Sequence, residues 1–193
     1  MNILILNGGP ANGLGTTSRK IRDAAAKEFQ ARGWNITAYD LDTLSIKPCR
    51  GCFACWLKHP GACAIQDDEE GFIKSWVASD AVLMITPVTF GGYSSALKMA
   101  LDRSIPVLLP FFVKSHGEIH HPQRYRQRRR ILAAGTLPGP DAEAERSFHG
   151  LVRRNALNMA SLRTESQIFF DSADDAEVAA RVGELAGAAE AGS

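Results

Sequence analysis

Five times along this chain of 193 residues, a short apolar run gives way to a stretch whose apolar residues recur at helical spacing. Few architectures accept that rhythm. A crossover helix returns the chain to the same end of a sheet, so repeated alternation builds parallel strands with helices on both faces. The apolar runs fall at residues 2–6, 36–41, 81–86, 131–134 and 167–170. The third, Ala-Val-Leu-Met-Ile-Thr, is apolar without alternation, as a strand covered on both faces has to be. Between the runs, residues 18–32 carry Ile21, Ala25 and Phe29 on one helical face and end at Gly33. Asp67 and Asp68 open a second helix, with acids at its start and Phe72, Ile73, Trp76 and Val77 facing inward. Further helices are expected over 94–103, over 141–159 with Asp141 as cap, and from the last strand to about residue 189. The pattern predicts an α/β fold with a five-stranded parallel sheet, formed as a single domain over residues 1–193.

Composition narrows the classes of function. Apolar residues make up 45% and charged residues 22%, ordinary globular values that exclude disordered and coiled-coil chains. Lysine and arginine total 22 against 21 acids, and a net charge of +1 gathers neither nucleic acid nor anionic membrane. No apolar run approaches the roughly 18 residues that cross a bilayer. The start, MNILILNGGP, lacks the basic region and long apolar core of a secretory signal. A soluble, cytoplasmic protein with no nucleic-acid or membrane partner is expected.

The loop after the first strand, residues 8–20, reads GGPANGLGTTSRK. Glycines let backbone amides close on an anion, and the following helix start adds partial positive charge. A Walker loop needs Gly-Lys-Ser/Thr, whereas Gly15 is followed by Thr16, so that reading fails. A dinucleotide fingerprint over Gly13, Gly15 and residue 18 meets Ser18 where its third glycine belongs, although Asp40 sits where a ribose-binding acid would. A mononucleotide loop uses Thr16, Thr17 and Ser18 as hydroxyl donors to a terminal phosphate. The plainer alternative makes them a helix cap. After the third strand, residues 86–98 read TPVTFGGYSSALK, and proline and glycine there would give a flat ring a rigid backbone wall.

All four cysteines, Cys49, Cys52, Cys55 and Cys63, fall in an insertion at 47–66. The spacing C-x2-C-x2-C-x7-C suits three corners of a cubane closed by a fourth ligand, and ferredoxins begin with the same C-x2-C-x2-C. Zinc usually takes paired C-x2-C arms much further apart, and a thiol switch on Cys49 and Cys52 is the third option. Phe53, Trp56 and Pro60 are candidates to shield such a cluster from water.

A long connection at 105–130 also stands outside the alternation, and long ordered loops are usually functional. Lys114, Arg124, Arg126, Arg128, Arg129 and Arg130 against Glu118 make it basic. It is either a solvated face or a site for a 2′-phosphate or an acidic partner. His120 and His121 could donate a proton near a bound ring, or simply pack.

The opening strand with its hydroxyl-rich loop, the segment TPVTFGGYSSALK and the LDR that follows resemble the flavodoxin-like NAD(P)H-dependent FMN reductases. With the cysteine segment included, the chain resembles their iron–sulfur flavoprotein branch. The resemblance implies a flavodoxin-like, doubly wound sheet of order 2-1-3-4-5. It implies FMN with its phosphate on Thr16, Thr17 and Ser18, and its isoalloxazine lined by Pro87, Val88, Thr89, Phe90 and Gly91 with Gly135 and Thr136 after the fourth strand. Thr89 stands where relatives often carry tyrosine, which bears on ring packing and substrate access. By the same resemblance Cys49, Cys52, Cys55 and Cys63 ligate a [4Fe-4S] cluster, NAD(P)H or a protein is the electron donor, a quinone, a small oxidant or a protein is the acceptor, and the chain forms a homodimer or homotetramer. No residue is assigned as general acid or base. An electron carrier, a thiol sensor, a cluster-free FMN reductase and a nicotinamide-dependent dehydrogenase using Asp40 are the rival readings.

Overall fold

A computed structural model describes residues 1–10 and 16–191. The chain runs β1 (Asn2–Asn7), α1 (Thr16–Ala31), β2 (Asn35–Asp40), the single-turn α2 (Ala54–Leu57), α3 (Glu69–Ala78), β3 (Ala81–Pro87) and α4 (Ser95–Arg103). It continues through β4 (Val113–Ser115), β5 (Glu118–His120), β6 (Arg130–Leu137), α5 (Ala142–Asn158), β7 (Arg163–Phe170) and α6 (Asp175–Glu190). The main sheet has five parallel strands in the order β2-β1-β3-β6-β7, which is 2-1-3-4-5 when its own strands are counted. This is the flavodoxin-like order expected. The β1–α1 and β3–α4 loops leave adjacent strands on either side of the switch in strand order, the usual place for a ligand crevice.

Alternation along the central strands divides the core. Leu4, Leu6, Val82, Met84, Ile131 and Ala133 face one layer with Phe72, Trp76, Leu97, Phe148 and Val152. Ile3, Ile5, Leu83, Ile85, Leu132 and Ala134 face the other, against Ile21 and Phe29 of α1 and Val178, Val182 and Leu185 of α6. Each such side chain contributes about 1.5–3 kcal/mol through its removal from water. Asp141 caps α5 by accepting from the Glu143 and Ala144 amides, as its place before the helix predicts.

Two elements depart from the sequence reading. The edge strand β7 begins at Arg163 rather than near 167, because its first half is polar and carries no hydrophobic signal. The connection at 105–130 contains an antiparallel hairpin, β4–β5, turned at His116 and Gly117 with both φ values positive. A His-Gly turn lacks the Asn-Gly or Asp-Gly signature that would have announced it.

Candidate functional site

The loops after β1 and β3 are stitched to each other. The Gly8 amide donates to Ile85 O at 2.8 Å, and the Ser94 hydroxyl donates to Gly8 O at 2.8 Å. Ser94 also caps α4 by accepting from the Leu97 amide. A methyl group on Gly8 would come within 2.8 Å of both Ser94 and Leu97, so this approach requires glycine. Residues 11–15, including Gly13 and Gly15 of the dinucleotide fingerprint, lie outside the described residues.

Thr16, Thr17 and Ser18 form the first turn of α1, where unpaired amides gather at a helix start. The Thr17 hydroxyl donates to Asp171 at 2.8 Å, so it serves the end of β7. Ser18 is fully buried, and its Oγ has no hydrogen-bond partner among the described residues. A buried, unpartnered hydroxyl beside helix-start amides fits an anion such as a flavin phosphate. Asp40 accepts from Asn7 Nδ2 at 2.8 Å and pairs with Arg22, so the carboxylate proposed for a ribose is already engaged.

Beyond β3, Thr89 and Gly92 exchange amide–carbonyl bonds of 3.0 and 2.9 Å across a tight turn. Phe90 and Gly91 occupy its two central positions at φ 49° and 73°. Left-handed backbone at a bulky residue is strained, and such strain gathers at binding sites. The Phe90 ring stands fully in solvent. Gly91 is buried against α5, where an added methyl would meet Ser147 Cβ at 2.6 Å. Gly135 and Thr136 lie inside β6, which runs to Leu137, rather than after it. Thr136 O accepts from the Val88 amide at 2.9 Å, and Gly135 leaves room for Val88 at 2.7 Å. These two residues thus shape the wall from behind.

The cysteine insertion is a loop closed at its neck. Asp67 accepts from the Lys47 amide and Asp68 from the Ser45 amide, at 2.9 and 2.7 Å, bringing the two ends together. Arg103, the last residue of α4, has a fully buried side chain that binds the neck. It grips both Asp67 oxygens at 2.9 and 3.0 Å and donates to Lys47 O and Ile65 O at 2.6 and 3.3 Å. Glu69 lies 3.4 Å from the same guanidinium. Burial would raise the Asp67 carboxyl, but the bonds from Arg103 and from the Lys47 and Glu69 amides hold it below the usual carboxylate range. Glu69 is pushed up to about 6 by burial, only partly offset by Arg103. Asp67 therefore acts as a clamp, not as the helix-dipole partner its place in the sequence suggested.

All four cysteines line one cavity of about 330 Å³, with Phe53, Ile65, Asp102, Arg103, Ile105 and Pro106 among its other walls. The Gly51 amide donates to Cys49 Sγ at 3.5 Å and the Ile65 amide to Cys63 Sγ at 3.4 Å. Burial, with the neighbouring thiols adding to it, pushes the Cys55 thiol up to about 11. Among the described residues, no three His, Cys, Asp or Glu side chains converge as a single metal ion requires. Of the expected shielding residues, Phe53 lines the cavity, whereas Pro60 and Trp56 do not. Trp56 instead donates from its indole to Leu108 O and Ile105 O at 3.0 and 3.3 Å, pinning α2 to the start of the long connection. The cavity lies at the opposite end of α4 from the 87–92 loop. Its wall residues Asp102 and Arg103 end α4, while the 87–92 loop leads to the start of that helix. Nine helical residues span about 13 Å.

A family model for NADPH-dependent FMN reductases matches residues 1–145, which span every loop described above. The chain belongs to this family. It is 31% identical to an iron–sulfur flavoprotein of Methanocaldococcus jannaschii over 115 residues, covering 60% of this chain and 58% of that one. An iron–sulfur flavoprotein of Methanosarcina thermophila is 30% identical over 105 residues, covering 54% and 53%. The chain thus spans little more than half the length of these curated relatives. Among solved structures, an NAD(P)H:quinone oxidoreductase from Methanothermobacter marburgensis superposes with a TM-score of 0.69 at 13% identity, over 95% of this chain and 93% of that one. An FMN-dependent NADH-azoreductase of Bacillus anthracis in complex with FMN superposes with a TM-score of 0.62 at 13% identity, over 98% of both. At those identities the superpositions speak for the fold.

In this member of the FMN reductase family the basic connection is structural. Arg124 donates to Pro106 O and Leu108 O at 2.8 and 3.2 Å, and Arg128 to Ala160 O and Ser161 O at 2.9 and 3.4 Å. Buried Arg129 closes the end of α3 through Trp76 O and Val77 O. Those arginines serve backbone carbonyls, Arg128 while remaining exposed, whereas Lys114 and Arg126 are exposed as the charge run suggests. His120 shares a hydrogen bond with Asn158 at 3.0 Å, and His121 packs against Trp56 with ring centres 4.8 Å apart and the planes tilted by 47°. Both imidazoles pack.

Proposed function

We propose that this chain is a flavin-dependent NAD(P)H oxidoreductase in which one FMN-binding domain carries a [4Fe-4S] cluster on its cysteine insertion. FMN is held at the β1–α1, β3–α4 and β6 ends, and the cluster is held by Cys49, Cys52, Cys55 and Cys63. The observation that carries the cluster is the convergence of every cysteine in the chain on one cavity. Four thiols on one cavity in the spacing C-x2-C-x2-C-x7-C suit a cubane better than zinc, which usually takes paired C-x2-C arms much further apart.

For FMN, family membership is supported by the unpartnered Ser18 hydroxyl and by the rigid 87–91 wall. Ser18, together with the amides at the start of α1, binds the phosphate, and Pro87, Val88, Thr89, Phe90 and Gly91 orient the ring while covering one face from water. Thr16 and Thr17 stand beside it, with Thr17 tying the phosphate loop to Asp171. Thr136 and Gly135 set the wall's position through Val88. Bound FMN supplies hydride acceptance and single-electron release, joining a two-electron donor to a one-electron centre. A quinone or similar small oxidant is the proposed acceptor. The exposed Phe111, Phe112 and Ile119 of the hairpin region, with Phe53 and Leu57 of the insertion, support assembly into a homodimer or homotetramer.

The test is the visible spectrum of anaerobically purified protein, with flavin, iron and sulfide counted and NAD(P)H turnover measured against a quinone. One FMN with about four irons and four sulfides per chain is expected. FMN with no iron or sulfide after reconstitution leaves a cluster-free FMN reductase. Flavin without turnover leaves an electron carrier.

A further inference from the structure

Arg103, on the wall of the cysteine cavity, carries one polar atom that the clamp does not use. Arg103 commits both terminal nitrogens to Lys47 O, Ile65 O, Asp67 and Glu69. Its Nε is buried and has no acceptor among the described residues. A donor left so costs about 1–3 kcal/mol, a penalty folded proteins rarely carry without a reason. Arg103 lines the same cavity as the four cysteines.

We infer that Arg103 Nε–H donates to a sulfur of the cluster held in the cavity it lines, and thereby raises the cluster's reduction potential. The inference rests on the cluster reading above. Reduction adds a negative charge, and a donor aimed at the sulfurs stabilises that added charge more than the oxidised state. Asp67 compensates the guanidinium at bidentate distance and Lys98 pairs with Asp102, the acid on the cavity wall, which leaves Arg50 as the wall's other cation, a charge common to wild type and both variants below. What distinguishes Nε is direction: it is a buried donor with no acceptor among the described residues.

This separates the donor from the clamp. Arg103→Lys keeps the charge but removes Nε, so the potential should move to a more negative value. Asp67→Asn weakens the clamp and removes a negative charge while leaving Nε in place, so the potential should stay or move positive. A purely structural role for Arg103 would shift both variants the same way. The measurement is a redox titration followed by electron paramagnetic resonance, with iron and sulfide counted in each preparation. Should Arg103→Lys fail to hold iron, the wild-type protein labelled with 15N-arginine decides. Pulsed resonance of its reduced cluster should show an arginine nitrogen coupling. Unchanged potential in Arg103→Lys, parallel shifts in both variants, or no nitrogen coupling would overturn the inference. Wild-type protein without iron and sulfide would instead remove the cluster reading, and this inference with it.

Discussion

Gly91→Ala tests whether the flavin wall is set by α5. Gly91 has φ 73°, and an added methyl would sit 2.6 Å from Ser147 Cβ. The left-handed backbone costs an alanine about 1–2 kcal/mol, and overpacking a rigid contact adds about 1–3. The expected loss is therefore about 2–5 kcal/mol. Gly117→Ala provides the comparison, since φ is 80° there but nothing lies within 4 Å of the added methyl. It should lose only the backbone part, about 1–2 kcal/mol. Adding Ser147→Gly to Gly91→Ala removes the clashing Cβ, and the double-mutant cycle should recover about 1–3 kcal/mol of coupling after the small cost of a helical glycine. Urea unfolding of the flavin-free wild type, the single variants Gly91→Ala, Gly117→Ala and Ser147→Gly, and the double variant measures these terms, with a constant slope confirming that stability alone has changed. FMN fluorescence titration should show Gly91→Ala, but not Gly117→Ala, weakening the flavin. A coupling below about 0.5 kcal/mol would refute the argument that Ser147 fixes the turn.

Ser18→Ala should leave the flavin-free protein as stable or slightly more so, because it removes an unpartnered buried hydroxyl, yet weaken FMN by about 1.5–3 kcal/mol in fluorescence titration. Arg129→Met should cost about 3 kcal/mol in urea unfolding by stripping the carbonyls at the end of α3, whereas exposed Arg126→Ala should stay within about 0.5. Glu69 is pushed up to about 6 from 4.5, so the folded state holds its proton more tightly. The stability this adds is full below pH 4.5 and disappears as pH rises through about 6, a change of about 2 kcal/mol that Glu69→Gln should flatten in metal-free protein unfolded by urea across that range. Any single cysteine-to-alanine change in Cys49, Cys52, Cys55 or Cys63 should lower iron content while FMN stays bound, read from iron assay and flavin absorbance on one sample.

The fold was legible because its information is local. Apolar runs marked the strands, and Ser94, Asp141 and Gly33 marked where helices start or stop. The cysteines were legible as a group because they are few and close in sequence. What escaped was whatever depends on long-range pairing. Nothing near residue 103 announces that its guanidinium binds Asp67, 36 positions earlier. Nothing in the run from 124 to 130 says that its arginines end on carbonyls of distant segments. Charge in a sequence reads as solvent-facing until a partner is known, and here the partners were backbone oxygens with no signature of their own. Gly135 misled for a related reason: glycine near a strand end suggests a loop, whereas here it makes room for Val88 inside β6.

The Arg103 clamp also has a consequence in time. Lys47, at the neck of the cysteine loop, leaves the ribosome 56 residues before the arginine that secures it. At about 5–20 residues per second, the loop waits roughly 3–11 s for that arginine to emerge. During that interval the thiols are tethered at neither end and no cavity surrounds them. Iron delivered to the nascent chain would meet a floppy ligand set open to oxidation, whereas iron delivered after α4 has docked meets the four sulfurs already gathered. Loading of the finished chain is the order of events this topology favours.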